Sequence, residues 1–158
     1  MWNAVVAEFS DLADVHEATR LVVRLVAAAL MGAVIGYDRE RNASPAGLRT
    51  HILVAIGAAL FVLVSQHAGF DRADMSRVVQ GLVAGIGFLG AGAILKRDET
   101  LSVKGLTTAA SIWLTAAIGI AAGFGQLVTA LVAALMGLIV LSMMSRADKV
   151  IREERDGD

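Results

Sequence analysis

The sequence predicts an all-α, polytopic membrane protein: five transmembrane helices preceded by an N-terminal amphipathic helix. Three observations carry that expectation. Of the 158 residues, 56% are hydrophobic and 18% charged, and the mean hydropathy is +0.67, well above an ordinary soluble domain of this size. The charges are gathered into short groups, leaving stretches close to the roughly twenty apolar residues that a helix needs to cross hydrocarbon. These stretches also lack the alternation of barrel strands, so helices, which satisfy their own amides, are the backbone solution. A soluble helical core is the competing reading, and so few charges over five long segments speak against it.

Residues 1–20, "MWNAVVAEFSDLADVHEATR", repeat apolar side chains at helical spacing (Trp2, Val5, Val6, Phe9, Leu12, Val15), with Glu8, Asp11, Asp14 and Glu17 mostly on the other face. An amphipathic helix lying along the membrane is expected, held by apolar burial because an acidic face is not drawn to anionic lipid. Those same acids exclude a removable signal peptide. The membrane domain is placed at 21–145. Its first span runs from about Leu21 to Tyr37, interrupted by Arg24, whose guanidinium is expected to extend to the interface. The second lies within Thr50 to Phe70 and the third fills Val78 to Leu95. From Gly105 to Ser145 there are 41 residues without a formal charge, enough for two spans joined near "GIAAGFGQ", residues 119–126. Residues 146–158 form a short charged tail, expected to fray from the last helix.

Basic residues on short loops set the orientation. Arg39, Arg41, Arg49, Lys96, Arg97, Lys104, Arg146, Lys149, Arg152 and Arg155 share one side, and Arg20, Arg24, Arg72 and Arg77 the other, so the fourteen divide ten to four. The N-terminus is therefore expected outside and the C-terminus in the cytoplasm.

Glycine is the most informative residue. "GLVAGIGFLGAGAIL", residues 81–95, holds five. On a helix Val79, Leu82, Ile86 and Leu89 form one face, and Gly81, Ala84, Gly85, Gly87, Ala91 and Gly92 gather opposite, with Gly90 in the same run. The bulky face is expected toward lipid and the small face toward protein, because close backbone approach is a main source of association between membrane helices. Gly32-x-x-x-Gly36 and Gly119-x-x-x-Gly123 repeat the device. Packing within the chain is preferred to a dimer seam, although a homodimer is the expected oligomer. A broken helix presenting carbonyls to an ion is the alternative.

The polar candidates cluster at span ends. Asp38 and Glu40, among Arg39, Arg41 and Arg49, suit either a Mg²⁺ site, since a hard cation takes oxygen ligands, or a salt-bridge network. Arg49 has three open roles: binding lipid phosphate, capping the loop, or pairing with Asp38. Asp74 and Arg77 precede the third span as a pore mouth or a capped helix start, and Gln80 enters it. Thr107, Thr108, Ser111 and Thr115 give the fourth span hydroxyls for bonds to backbone or a neighbouring helix. His16, His51 and His67 are separated and do not make a metal site.

Several classes are excluded. A net charge of −1 gives no field for nucleic acid, and the absence of cysteine removes disulfides and thiolate chemistry. No phosphate-binding loop, Ser/His/Asp arrangement or metalloprotease motif occurs, so no enzyme is expected, and no cofactor beyond a candidate Mg²⁺. No charge lies near the middle of any span, where proton-coupled transporters usually carry one.

Three blocks, "GYDRERNASPAGLRTHILVAIGAALF", "RVVQGLVAGIGFLGAGAIL" and "VKGLTTAASIWLTAAIGIAAGFGQ", together resemble the MgtC/SapB family of bacterial inner-membrane proteins over roughly Arg24 to Leu141. The resemblance implies five spans, a role in growth under magnesium limitation and in survival of pathogens inside host cells, and in some members restraint of the F-type ATP synthase. It places signature positions at Asp38, Arg39, Glu40, Gly47, Leu48, Arg49 and Thr50, at Arg77, Gly85, Gly87, Phe88, Leu89, Gly90 and Gly92, and at Gly105 to Ala110 and Trp113. Asp38 stands where a longer Glu is common, Gln80 precedes the family's glutamine by one position, and many members continue into a soluble domain beyond the point where this chain ends. A regulatory protein acting on another membrane complex is the expected function, with a Mg²⁺ or other cation transporter or channel as the alternative.

Overall fold

A computed structural model describes residues 14–97 and 102–156. Five helices follow in order: α1 Val15–Arg41, α2 Leu48–His67, α3 Arg72–Ala93, α4 Leu106–Gly123 and α5 Leu127–Asp156. The four from α1 to α4 are long and apolar enough to cross a membrane, and the apolar part of α5, Leu127–Met143, is shorter. α1 already begins at Val15, so the last residues assigned to the amphipathic segment continue into the first span; residues 1–13 lie outside the described residues. α5 likewise runs through the expected tail to Asp156.

Helix ends follow local chemistry. Asp14 and Asp71 cap α1 and α3, each accepting backbone N–H bonds from the first turn. Gly125, at φ +80, closes the tight turn between α4 and α5 within the stretch expected to make it. Between α3 and α4 the chain forms a small antiparallel hairpin, β1 Leu95–Arg97 with β2 Ser102–Lys104, where the sequence reading has a plain loop. Gly105 ends it at φ +95, a conformation that brings its Cα so close to the Ala93 carbonyl that a side chain there has no room.

α2 is the central helix, packed between α1 and α4. A Cβ on Gly32 would lie 2.7 Å from the His51 carbonyl oxygen and 2.9 Å from Ala55 Cβ; on Gly36 it would lie 2.8 Å from Leu48 Cα. From the other side, Gly119 rests on the Ala55 carbonyl, and a Cβ on Gly123 would lie 2.8 Å from both the Ala59 carbonyl oxygen and Val62 Cβ. Both small-residue pairs thus pack closely on α2, Gly32 and Gly36 along Leu48, His51 and Ala55, and Gly119 and Gly123 along Ala55, Ala59 and Val62. α5 closes the core with Ala130, Ala134 and Leu141, and its Gly137 admits Leu114 and Ile35.

α3 reverses the expected faces. Val79, Leu82 and Ile86 look toward α4, enclosing a gap of about 200 Å³ with Trp113, Ala116, Ala117 and Ile120. A Cβ added at Gly81, Gly85, Gly87 or Gly92 would meet nothing within 4 Å. Gly90 is buried, 3.6 Å from Ala109 Cβ by the same measure. The partner face of α4 sets Ala116 and Ala117 between Trp113 and Ile120, and the larger side chains of α3 lie against it. Leu89 remains on the outer surface, 52% exposed.

Overpacking a tight crossing costs about 1–3 kcal/mol, so Gly32→Ala and Gly119→Ala are expected to lower unfolding stability in micelles by that amount, whereas Gly85→Ala stays within about 0.5 kcal/mol of the parent. Equal losses in all three would show that the grip on α2 is not what holds the bundle.

Candidate functional site

At the end of the bundle where α1 finishes and α2 and α4 begin, the apolar helices bring together a run of polar side chains. α1 carries Asp38 and Arg39 there. The two are adjacent in sequence and both largely buried, Arg39 being 7% exposed, and the guanidinium holds one Asp38 oxygen through Nη2 at 2.9 Å and Nε at 3.2 Å. Asn42 Nδ2 and its backbone N–H both donate to the Asp38 carbonyl, closing the helix end. Ala43 then takes a positive φ of 51° and the Ser44 N–H returns to the Arg39 carbonyl, turning the chain toward α2.

Glu40 has a separate role. Its Oε2 accepts the Leu48 N–H at 2.9 Å, placing a carboxylate on the N-terminus of α2, where the orphan amides and the helix dipole favour it. Gly47 is bare because the Glu40 carboxylate occupies the space a side chain would take.

Deeper in, His51 is fully buried. Its Nδ1 lies 2.8 Å from the Gly47 carbonyl oxygen and its Nε2 3.1 Å from Ser111 Oγ on α4. Ser111 Oγ also donates to the Thr108 carbonyl at 2.8 Å, Thr115 Oγ1 donates to the Ser111 carbonyl, and Thr108 Oγ1 shares a 3.0 Å hydrogen bond with Ser44 Oγ. The chain Ser44–Thr108–Ser111–His51 therefore ties the interhelical turn, α4 and α2 together. Among the described residues no buried side-chain polar atom lacks a partner.

The protons in this chain can be counted. A carbonyl accepts, so Nδ1 carries a hydrogen toward Gly47. In neutral His51 the Nε2 is then an acceptor, and the single Ser111 hydroxyl hydrogen serves either Nε2 or the Thr108 carbonyl. An imidazolium satisfies both, Nε2–H donating to Ser111 while Ser111 donates to Thr108.

The sequence-predicted residues separate accordingly. Asp38 pairs with Arg39 and not with Arg49, which is exposed. Asp38 and Glu40 are each engaged by a different partner, and no cluster of three or more metal-ligating side chains occurs among the described residues. Asp74 and Arg77 form an exposed i,i+3 pair at 2.9 Å beside the Asp71 cap, the capped helix start. Gln80 and Thr107 are exposed, and Thr108 is buried in the polar chain. His51, set aside in the sequence as one of three scattered histidines, is the centre of the site. Its signal was its place at the end of the small stripe 51–55–59, with 108–111–115 the matching polar row on α4; linking the two requires the register between the helices.

The model of the MgtC family matches residues 25–150. Among curated proteins, Protein SrpB of Synechococcus elongatus is 46% identical over 141 residues, 82% of this chain and 78% of its own. The putative magnesium transporter YhiD of Escherichia coli is 41% identical over 129 residues, 77% of this chain and 59% of its own. Protein MgtC of Salmonella typhimurium is 42% identical over 132 residues, 84% of this chain and 55% of its own. The chain thus spans somewhat more than half the length of the last two. No solved structure matches.

Removing one partner of a buried ion pair costs about 3–5 kcal/mol; Asp38→Asn, which strands Arg39, is expected near the lower bound, while Glu40→Gln, still an acceptor for Leu48, loses under about 1 kcal/mol. Thermal unfolding in micelles reads both. Equal effects would mean that the two carboxylates act as one unit.

Proposed function

We propose, from the premise that this chain belongs to the MgtC family, that it is a multi-pass protein of the bacterial inner membrane serving growth under magnesium limitation by binding another membrane complex. The bare glycine face of α3 is the contact surface in this reading, and the F-type ATP synthase is the partner class that the family resemblance suggests. The carrying observation is that Gly81, Gly85, Gly87 and Gly92 have open space where a side chain would project. In hydrocarbon such a surface gains little from lipid and much from a second helix backbone at close range. Elsewhere in this chain the same device joins helices, at Gly32 with Ala55 and at Gly119 with the Ala55 carbonyl. α3 is also the least enclosed of the four long helices, with 11% of its apolar window buried against 50% for α4.

The N-terminus outside and the C-terminus in the cytoplasm complete the proposal, following the ten-to-four division of basic residues. Cation transport is the second reading, favoured by the relative YhiD, which is named a putative magnesium transporter.

The two readings part experimentally. Gly85→Leu is expected to insert and fold normally yet to lose support of growth at low Mg²⁺, and proteoliposomes of the parent protein to show no Mg²⁺ flux under an imposed gradient and potential. Flux, or full growth support by Gly85→Leu, would overturn the proposal. Because the chain has no cysteine, Gly85→Cys provides a unique thiol: cross-linking to a different membrane protein is expected, and cross-linking to a second copy alone would make this face a homodimer seam instead.

A further inference from the structure

At the end of the bundle opposite the polar chain, where α1 begins and α2 and α4 end, a cavity of about 440 Å³ opens between α1 and α2. Arg20 and Arg24, four residues apart and so on one face of α1, line it together with Glu17. Leu21 from α1 and Leu63 and Val64 from α2 supply an apolar wall.

Arg24, which the sequence alone expects to extend to the interface, is bonded to the ends of α2 and α4. Its Nη1 donates to Gln66 Oε1 at 3.0 Å and to the Gly123 carbonyl at 2.9 Å, the latter an orphan acceptor at the end of α4. A Cβ on Gly125 would lie 2.6 Å from Nη2, 2.9 Å from Cζ and 3.0 Å from Nε. These distances put that point above the guanidinium plane on the side of its Nη2–Nε edge, so a side chain at residue 125 would crowd the group and glycine is required there. Held by one nitrogen and one face, the group keeps its Nε–H and Nη2–H edge without an acceptor among the described residues. That edge is the planar fork that matches two oxygens of a phosphate.

We propose that this cavity binds a membrane phospholipid, with the headgroup phosphate on the Arg24 fork and Arg20, and an acyl chain along Leu21, Leu63 and Val64. Two guanidinium charges against the Glu17 carboxylate leave a formal +1 for the single negative charge of a phosphodiester. Glu17 sits 3.8 Å from His67 at the mouth, both half exposed, and so does not neutralise the fork. The apolar wall distinguishes this site from one for a free anion: Val64 is 57% exposed and continues onto the outer surface of the bundle, where lipid chains run.

Native mass spectrometry of the full chain in detergent tests this, with phosphatidylglycerol and inorganic phosphate as probes. The parent protein is expected to bind the lipid, and Arg24→Lys, Arg20→Gln and Ala68→Glu, the last adding a carboxylate to the lining, to bind it roughly tenfold more weakly. Millimolar inorganic phosphate is expected to leave the lipid in place. Equal lipid binding by the parent and the variants overturns the proposal, and so does complete displacement by phosphate, which would make the ligand a free anion. Arg24 also holds the end of α4; should Arg24→Lys unfold, Arg20→Gln and Ala68→Glu decide the matter, since both leave the Gln66 and Gly123 bonds intact.

Discussion

Everything in this bundle depends on how closely two backbones can approach α2. In a hydrocarbon solvent, leucine gains little by leaving lipid for protein, so helices associate through dense packing and weak contacts between backbones. α1 brings Gly32 and Gly36 against α2 at Leu48, His51 and Ala55, and α4 brings Gly119 and Gly123 against it at Ala55, Ala59 and Val62. The carbonyls of His51, Ala55 and Ala59 stand where the missing side chains would be. With three axes fixed in this way, the rest of the molecule has defined places to attach: α5 through Ala130 and Ala134, and α3 through bulky residues against the alanines of α4.

Close approach also governs the polar groups. Because α2 and α4 lie nearly in backbone contact, His51 on one and Ser111 on the other come within hydrogen-bonding range in a fully buried place. An unpartnered imidazole there would carry a large desolvation cost, and the chain from Ser44 through Thr108 and Ser111 removes it. At the opposite end Arg24 performs a related task, reaching from α1 to the Gly123 carbonyl of α4 and to Gln66 at the end of α2. The two ends of the three-helix centre are thus joined by side-chain bonds, and its middle by packing alone. The absence of charge from the middle of the spans agrees with that division of labour.

α3 differs in kind. It touches the others mainly along α4, through large side chains, and turns its smallest residues outward. Its outer surface is thus built of the same small residues as the chain's own internal contacts.

The sequence by itself determined the all-helical membrane class and the order of the helices from α1 to α5, because those follow from the spacing of charges along the chain and from the need of every amide for a partner in hydrocarbon. It also identified Gly32, Gly36, Gly119 and Gly123 as contact points and Thr108, Ser111 and Thr115 as a hydroxyl row, since helical periodicity puts each set on one face. Only the tertiary structure decided which face of α3 is inside, that Asp38 takes Arg39 rather than Arg49, and that His51 meets Ser111. Periodicity tells which residues of one helix share a side, whereas the inner face of α3 and the meeting of His51 with Ser111 depend on the rotation and register of one helix against another. Those are set by the sum of many short-range contacts between segments far apart in the chain, which no local pattern records.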